Sequence, residues 1–450
     1  PHVSRALHAE GVGIFSFTTA VTSYFILVGN LGIATYGQLQ IARLRDKKRE
    51  MSQVFFELIF LRGILLICII TVFTIFIQFQ TNNLQIMYYV LIVQIIANLI
   101  DISWFLQGLE EFKSIVLRNI LIKIISVILI LLFVNNKGDL YLYALIMNGS
   151  TLLGNLSIWV YLPNFIEKVP IASLNIFRHL SSCISYFIPT IATTLYLTID
   201  KTMIGWFSAS SVENGYYEQA QKIEQMAVTV VTSLTVVTMP RMAFLFKNNQ
   251  IAMFKKRFDT SIQFILFLSI PMCIGLIAIT DDFIPLFLGK GFEGVIPLMK
   301  IFSLLIIIVG LNNAVGKQIL MPISRQKFYN VSVIVGALLN ILVNLILIPK
   351  LYSLGAAIAS VLAELIILIL FSYFSRDFLD FTSVFKSAIK YTIAGFIMFI
   401  TISFINFDVV SWSLVLVKIV CGILSYFIFL LLIKDDFIFN GLRNLIFKKH

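Results

Sequence analysis

Residues 195–241 read LYLTIDKTMIGWFSASSVENGYYEQAQKIEQMAVTVVTSLTVVTMPR. An apolar segment ends at Asp200-Lys201, and a short connection leads to Asn214-Gly215-Tyr216-Tyr217. A long helical pattern follows that is polar where a membrane helix should be oily. Glu218, Gln221, Lys222, Gln225, Thr229 and Thr232 recur at three- and four-residue spacing, so they share one helix face. Ala220, Ile223, Met226, Val230 and Leu234 occupy the other faces, and the pattern runs into Met239-Pro240-Arg241. A polar stripe with a lysine, on a helix of membrane length, needs a wet interior to face.

The rest of the chain supplies the membrane. Its 450 residues are 59% apolar and 13% charged, with a mean hydropathy of +0.94. An average soluble domain is about 25% charged. Apolar stretches long enough for a bilayer core of about 30 Å recur along the whole chain. They lie near 12–38, 53–79, 84–106, 113–135, 140–162, 175–199, 215–243, 258–280, 295–318, 327–348, 355–375, 384–406 and 411–434, thirteen in all. The expectation is an all-α polytopic membrane protein. A membrane β-barrel would show alternating segments of about ten residues instead. No connection is long enough for a soluble domain.

The net charge of +11 is not a nucleic-acid signal, because the basic residues alternate by loop. One set of loops holds Arg43, Arg45, Lys47, Lys48 and Arg49, then Lys113, then Lys168 and Arg178. The same side continues with Lys247, Lys255, Lys256 and Arg257, then Arg325, Lys327, Arg376 and Lys386, then Arg443, Lys448 and Lys449. The intervening loops hold only Arg5, Lys137, Lys201, Lys290 and Lys350. The positive-inside rule puts the first set in the cytoplasm, with the C-terminal tail. Pro1 then lies outside, so a first span is expected upstream of this chain. Cys68, Cys183, Cys273 and Cys421 sit in apolar stretches, without metal spacing or a disulfide frame. The four histidines are scattered, so no metal site is expected.

A weak repeat recurs at about two hundred residues. Glu10-Gly11-Val12-Gly13-Ile14-Phe15 opens one long helix and Glu213-Asn214-Gly215-Tyr216-Tyr217 another. Leu140 to Trp159 likewise resembles Leu351 to Leu370 in pattern. Matching segments run in the same sense, which implies two six-helix lobes in parallel pseudo-repeat around a central cleft. The lobes are expected at 1–162 and 175–375, with an appended helix pair at 384–434 and a cytoplasmic tail at 435–450. Ser16, Thr19 and Ser23 share a face of the 12–38 stretch, and Ser182, Ser185, Pro189, Thr193 and Tyr196 one of the 175–199 stretch. Such faces line a cleft or serve as small-residue helix packing.

A charge at the bilayer centre costs about 2.5–3.5 kcal/mol on insertion scales. Arg62 and Lys123 reach a cleft or snorkel on their long stems. Lys222 is one turn from Glu218 and can pair with it. Glu364 is a proton or cation site, or a protonated packing acid. Asp101, followed by Trp104, reads as interfacial. Lys418 lies outside the repeated core, where it snorkels or meets lipid. Arg241 sits at the inner mouth, where Pro240 can open the helix. It meets an anionic headgroup or only follows the positive-inside bias. Cations outnumber acids in the expected cleft, which suggests an anionic substrate.

Asp200-Lys201, Gly205, Gly215-Tyr216-Tyr217, Ala220, Lys222-Ile223 and Pro240-Arg241 resemble the central signature of the polysaccharide biosynthesis (Wzx-type oligosaccharide flippase) family. Pro1, Ser4-Arg5, Leu7, Glu10-Gly11-Val12-Gly13, Leu31-Gly32-Ile33 and Tyr36-Gly37-Gln38 resemble its N-terminal segment after a first helix. The resemblance implies the multidrug/oligosaccharidyl-lipid/polysaccharide exporter superfamily and a flippase, not an enzyme. Such a protein moves undecaprenyl-pyrophosphate-linked oligosaccharides for capsule or O-antigen across the bacterial cytoplasmic membrane. It does so by alternating access, without a cofactor beyond a coupling H+ or Na+. Arg62, Lys123, Lys222 and Arg241 are then expected to hold pyrophosphate. Glu218, Gln221 and Gln225 would meet sugar, Asp200, Lys201 and Pro240 would form a gate or hinge, and Glu364 or Asp101 would couple the ion. The lipid-linked oligosaccharide, membrane lipids, a polysaccharide polymerase and a chain-length regulator are the implied partners. A cation-coupled multidrug exporter of the same superfamily is the alternative, and a membrane polysaccharide polymerase a more distant one.

Overall fold

The computed structural model describes residues 1–208, 210–405, 411–435, 437 and 439. The side chains of residues 83, 112–114, 188, 189, 192, 193, 196, 197 and 236 also fall outside the description. The expected polar positions Pro189, Thr193 and Tyr196 are among these. The Lys113 side chain is also among these, and Arg443, Lys448 and Lys449, with nearly all of the 435–450 tail, lie outside the described residues.

The described chain is helical throughout. The helices are α1 (His2–Asn30), α2 (Ile33–Leu44), α3 (Lys48–Gln78), α4 (Asn82–Ile100), α5 (Ser103–Gly108), α6 (Phe112–Phe133) and α7 (Leu140–Ile158). They continue with α8 (Leu180–Phe207), α9 (Val212–Lys247), α10 (Ile251–Leu288), α11 (Val295–Val315), α12 (Gln326–Phe374), α13 (Phe381–Ser403) and α14 (Trp412–Leu432). Eleven helical stretches among the described residues are long and apolar enough to cross a membrane, so the chain is a multi-pass membrane protein. A helix is the natural element there, because it satisfies its own backbone polar groups.

Several boundaries differ from the sequence reading. The expected 12–38 stretch is broken at Leu31 (φ 42°) and Gly32 (φ 71°), which separate α1 from α2. A side chain at Gly32 would meet the Cys183 carbonyl oxygen at 2.5 Å, so positive φ and close packing both demand glycine. The stretches 327–348 and 355–375 join in α12, 49 residues long. At 1.5 Å per residue that is about 73 Å, enough for two crossings. Tyr352 (φ 48°) breaks the helix between them. The helix over 175–199 extends to Phe207, so Asp200-Lys201 lie inside it rather than at its end.

The chain divides into two compact units, residues 2–215 and residues 216 onward. Within the first unit α8 packs on α1 and α2. In the first unit one apolar cluster gathers Phe73, Tyr88, Leu91 and Ile95, and another Ile33, Phe55, Trp104 and Phe105. The second unit is built on Phe254, Phe258, Ile265, Ile306, Tyr391 and Tyr426. Two of these six belong to the expected appended pair, so α13 and α14 share this unit's core. Lipid is as apolar as leucine, so close packing rather than water exclusion holds such helices together.

Candidate functional site

The polar stripe that singled out α9 is on its surface. Lys222, Gln225 and Thr229 are exposed, and Gln221 and Thr232 are half-buried. Lys222 Nζ pairs with Glu218 Oε1 at 3.0 Å, the i,i+4 geometry expected, so part of its charge is already answered. Thr229 and Thr232 donate to the carbonyls of Gln225 and Val228 one turn back. Those hydroxyls keep their lone pairs available to a ligand.

The opposite face of α9 holds what the sequence reading missed. Glu224 is 7% exposed. It lies within electrostatic range of Glu364 on α12. Asn312 on α11 donates Nδ2 to Glu364 Oε2 at 2.6 Å and to the Glu364 carbonyl at 3.0 Å. The buried Asn312 Oδ1 has no hydrogen-bond partner. Two carboxylates and an amide oxygen from three helices thus converge in the second unit. The arrangement suits a hard cation or a shared proton, since its accessible groups are oxygen acceptors. Glu224 was passed over because it is off the stripe, two residues from Lys222. Asn312 was passed over because the Asn312-Asn313 pair in an apolar run carries no pattern.

In the first unit Arg62 is buried and held by protein. Its guanidinium donates to Asn30 Oδ1 at 2.7 Å, to the Asn98 carbonyl at 2.7 Å and to the Asp101 carbonyl. α4 ends at Ile100, and the last carbonyls of a helix have no partner within it. Asn155 Nδ2 takes the Ala97 carbonyl at 2.7 Å and Trp159 Nε1 the Ile100 carbonyl at 3.1 Å. Arg62, Asn155 and Trp159 together seal that end. The expected pyrophosphate role for Arg62 meets a side chain already committed to capping α4. Asp101, an expected coupling group, accepts from the Ser103 amide at 2.9 Å and from the Ser103 hydroxyl, opening α5.

Lys123 on α6 is exposed among Leu121, Ile124, Ile125 and Val127, themselves more than half exposed. That surroundings favours a snorkelling side chain. Asp200 is buried and Lys201 half-buried within α8, whose run to Phe207 puts no joint at either. Pro240 sits inside α9, which continues to Lys247. Arg241 is exposed, with its guanidinium 4.9 Å from the Phe244 ring centroid. Lys418, expected to snorkel or meet lipid, is buried in an ion pair with Asp282 Oδ2 at 2.6 Å, joining α14 to α10. No group of three or more His, Cys, Asp or Glu side chains that could hold a metal ion occurs among the described residues.

A family model described as Polysaccharide biosynthesis protein matches residues 1–246. The chain is 24% identical over 386 residues to a proposed O-antigen transporter of Escherichia coli (strain K12), covering 84% of this chain and 91% of that protein. A proposed O-antigen transporter of Shigella dysenteriae is 21% identical over 378 residues, with 82% and 93% covered. The fold is similar to that of the lipid II flippase MurJ in an inward closed conformation. The TM-score is 0.77 at 17% identity, over 97% of this chain and 96% of that one. It is also similar to an inward-facing MATE-family multidrug transporter, at TM-score 0.61 and 11% identity over 84% and 94%.

Proposed function

Since the chain belongs to the polysaccharide biosynthesis protein family, we propose that it is a flippase rather than an enzyme. It carries an undecaprenyl-pyrophosphate-linked oligosaccharide from the inner to the outer leaflet of the cytoplasmic membrane, for capsule, O-antigen or a related surface polymer. The observation that carries this reading is the exposed polar face of α9, with Lys222, Gln225 and Thr229 on a helix of membrane length. A polar face in a membrane is retained for a wet path or a polar cargo. The amide and hydroxyl groups suit sugar, and Lys222 beside Glu218 suits the developing contact with pyrophosphate. The likeness to the O-antigen transporters supports the substrate class. Alternating access is the movement. By the loop charges the C-terminus is cytoplasmic, and Lys222 then sits toward the outer leaflet, where it receives rather than captures the headgroup. A polysaccharide polymerase and a chain-length regulator are the partners that would take the product onward.

Coupling to H+ or Na+ is assigned to Glu364 together with Glu224 and Asn312, in place of Asp101. The same buried acidic pair is the one observation that favours a cation-coupled drug exporter. Efflux of cationic dyes from cells expressing the protein separates the two readings. The direct test is Lys222→Ala in a strain that needs this protein for its surface polysaccharide. Loss of polymer at normal protein level supports the assignment, and normal polymer removes Lys222 from it.

A further inference from the structure

The inner ends of α9 and α10 carry a second cationic feature. Leu234, Thr238 and Arg241 recur along one face of α9, and Met253, Lys256, Arg257, Thr260 and Phe264 along one face of α10. Between them lies a cavity of about 590 Å³, closed on one side by Phe437 beyond α14. That volume is within the range of small-molecule sites, about 300–1,000 Å³. Among the described residues three cations line it and no carboxylate does. Among the described residues, none of the three forms a salt bridge. Their neighbour in the basic run is different. Lys255 donates Nζ to the Asp377 carbonyl at 3.0 Å and lies 5.9 Å from the Phe378 ring centroid, on another face of α10. A mere excess of inner-side charge does not sort three consecutive helical positions this way.

We infer that this cavity binds the phosphate of an inner-leaflet lipid. Arg241, planar and stacked on Phe244, offers a fork to phosphate oxygens, and Lys256 and Arg257 supply the remaining charge. The Thr238 and Thr260 hydroxyls donate to the Leu234 and Lys256 carbonyls one turn back, so recognition of phosphate rests on the three cations. Leu234, Met253, Phe264 and Phe437 give the wall that an attached apolar chain needs and a free anion does not. Basic pockets between helices on the inner side are a recognised geometry for anionic headgroups. Two lipids carry this chemistry, a bulk anionic phospholipid and a polyprenyl pyrophosphate. The site does not depend on the flippase reading, because it stands on its own charge and shape.

The test is thermal unfolding of the purified full chain in detergent. It is titrated with dioleoylphosphatidylglycerol, with undecaprenyl pyrophosphate, with dioleoylphosphatidylcholine and with inorganic phosphate. The wild type is expected to be stabilised by one or both anionic lipids and not by the other two. Lys256→Gln and Arg257→Gln should each weaken the lipid's effect about five-fold, the scale for one cation at an anionic surface. Lys255→Gln should leave it unchanged, and unfolding in phosphatidylcholine reports whether each variant is folded. The inference falls if Lys255→Gln weakens the effect as much as Lys256→Gln does. It also falls if inorganic phosphate stabilises as well as lipid, or if neither anionic lipid does. Whichever anionic lipid binds more tightly identifies the occupant.

Discussion

Gly13 and Gly215 meet back to back. A methyl on Gly13 would lie 2.9 Å from the Gly215 amide nitrogen and 1.7 Å from the Ser211 carbonyl oxygen. One on Gly215 would lie 2.0 Å from the Ala9 carbonyl oxygen. Residues 9–13 and 211–215, both in the first unit, therefore cross on bare backbone. Gly13→Ala should force them apart, at the roughly 1–3 kcal/mol typical of overpacking. Gly11→Ala, where the nearest contact is a Leu7 side-chain atom at 3.1 Å, should cost less. Melting midpoints of the two variants in detergent compare them, and equal values would contradict the crossing.

Arg62 should behave as a structural residue. Arg62→Leu leaves the Asn98 and Asp101 carbonyls and the Asn30 amide oxygen without their donor. Each unsatisfied buried acceptor costs about 1–3 kcal/mol, so little folded protein is expected. Arg62→Lys keeps the charge but not the fork, and should recover part of the yield. Transport per folded molecule should then match the wild type. A well-folded Arg62→Lys protein that cannot transport would return Arg62 to the substrate path.

The Asp282–Lys418 pair should be strongly coupled. The side chains are 18% and 7% exposed, so removing either leaves the other nearly buried and uncompensated. Asp282→Asn or Lys418→Met alone should cost about 3–5 kcal/mol, while the double variant recovers most of it. A double-mutant cycle on unfolding free energy measures the difference, and additive losses would rule the coupling out.

Glu224→Gln and Glu364→Gln should leave folding intact, since the amide is nearly isosteric. Gradient-driven transport in proteoliposomes should fall for both. Asn312→Ala should weaken the cation response by roughly ten-fold, the scale for loss of a supporting group. Unchanged dependence on the H+ and Na+ gradients in all three would remove this cluster from coupling.

Much of the fold was legible without coordinates, because a bilayer makes each helix declare itself locally. Twenty consecutive apolar residues need no partner elsewhere in the chain to be read as a span. The stripe on α9 was legible for the same reason, as was the Glu218–Lys222 pair one turn apart. Breaks within apolar runs were harder. Leu31-Gly32 and Tyr352 interrupt or join helices through backbone angles that apolar composition does not encode, whereas the continuation of α8 past Asp200 follows from the absence of any breaker there.

The fate of each intramembrane charge could not be read in this way. Arg62 and Lys123 look alike in sequence, each about ten residues into an apolar stretch. One is buried against the open end of α4 and the other stands on the exposed face of α6. Lys418, expected to snorkel or meet lipid, found Asp282, 136 residues away. Glu224 and Glu364 came within electrostatic range only when α9 and α12 folded into one unit. Helix period and hydropathy are local properties, so the sequence by itself determined that this is a helical membrane protein with a polar face on α9. Which charges are satisfied by protein and which stay available depends on groups far apart along the chain. The free energy of a buried charge is set by whatever stands beside it, and only the tertiary structure decided that.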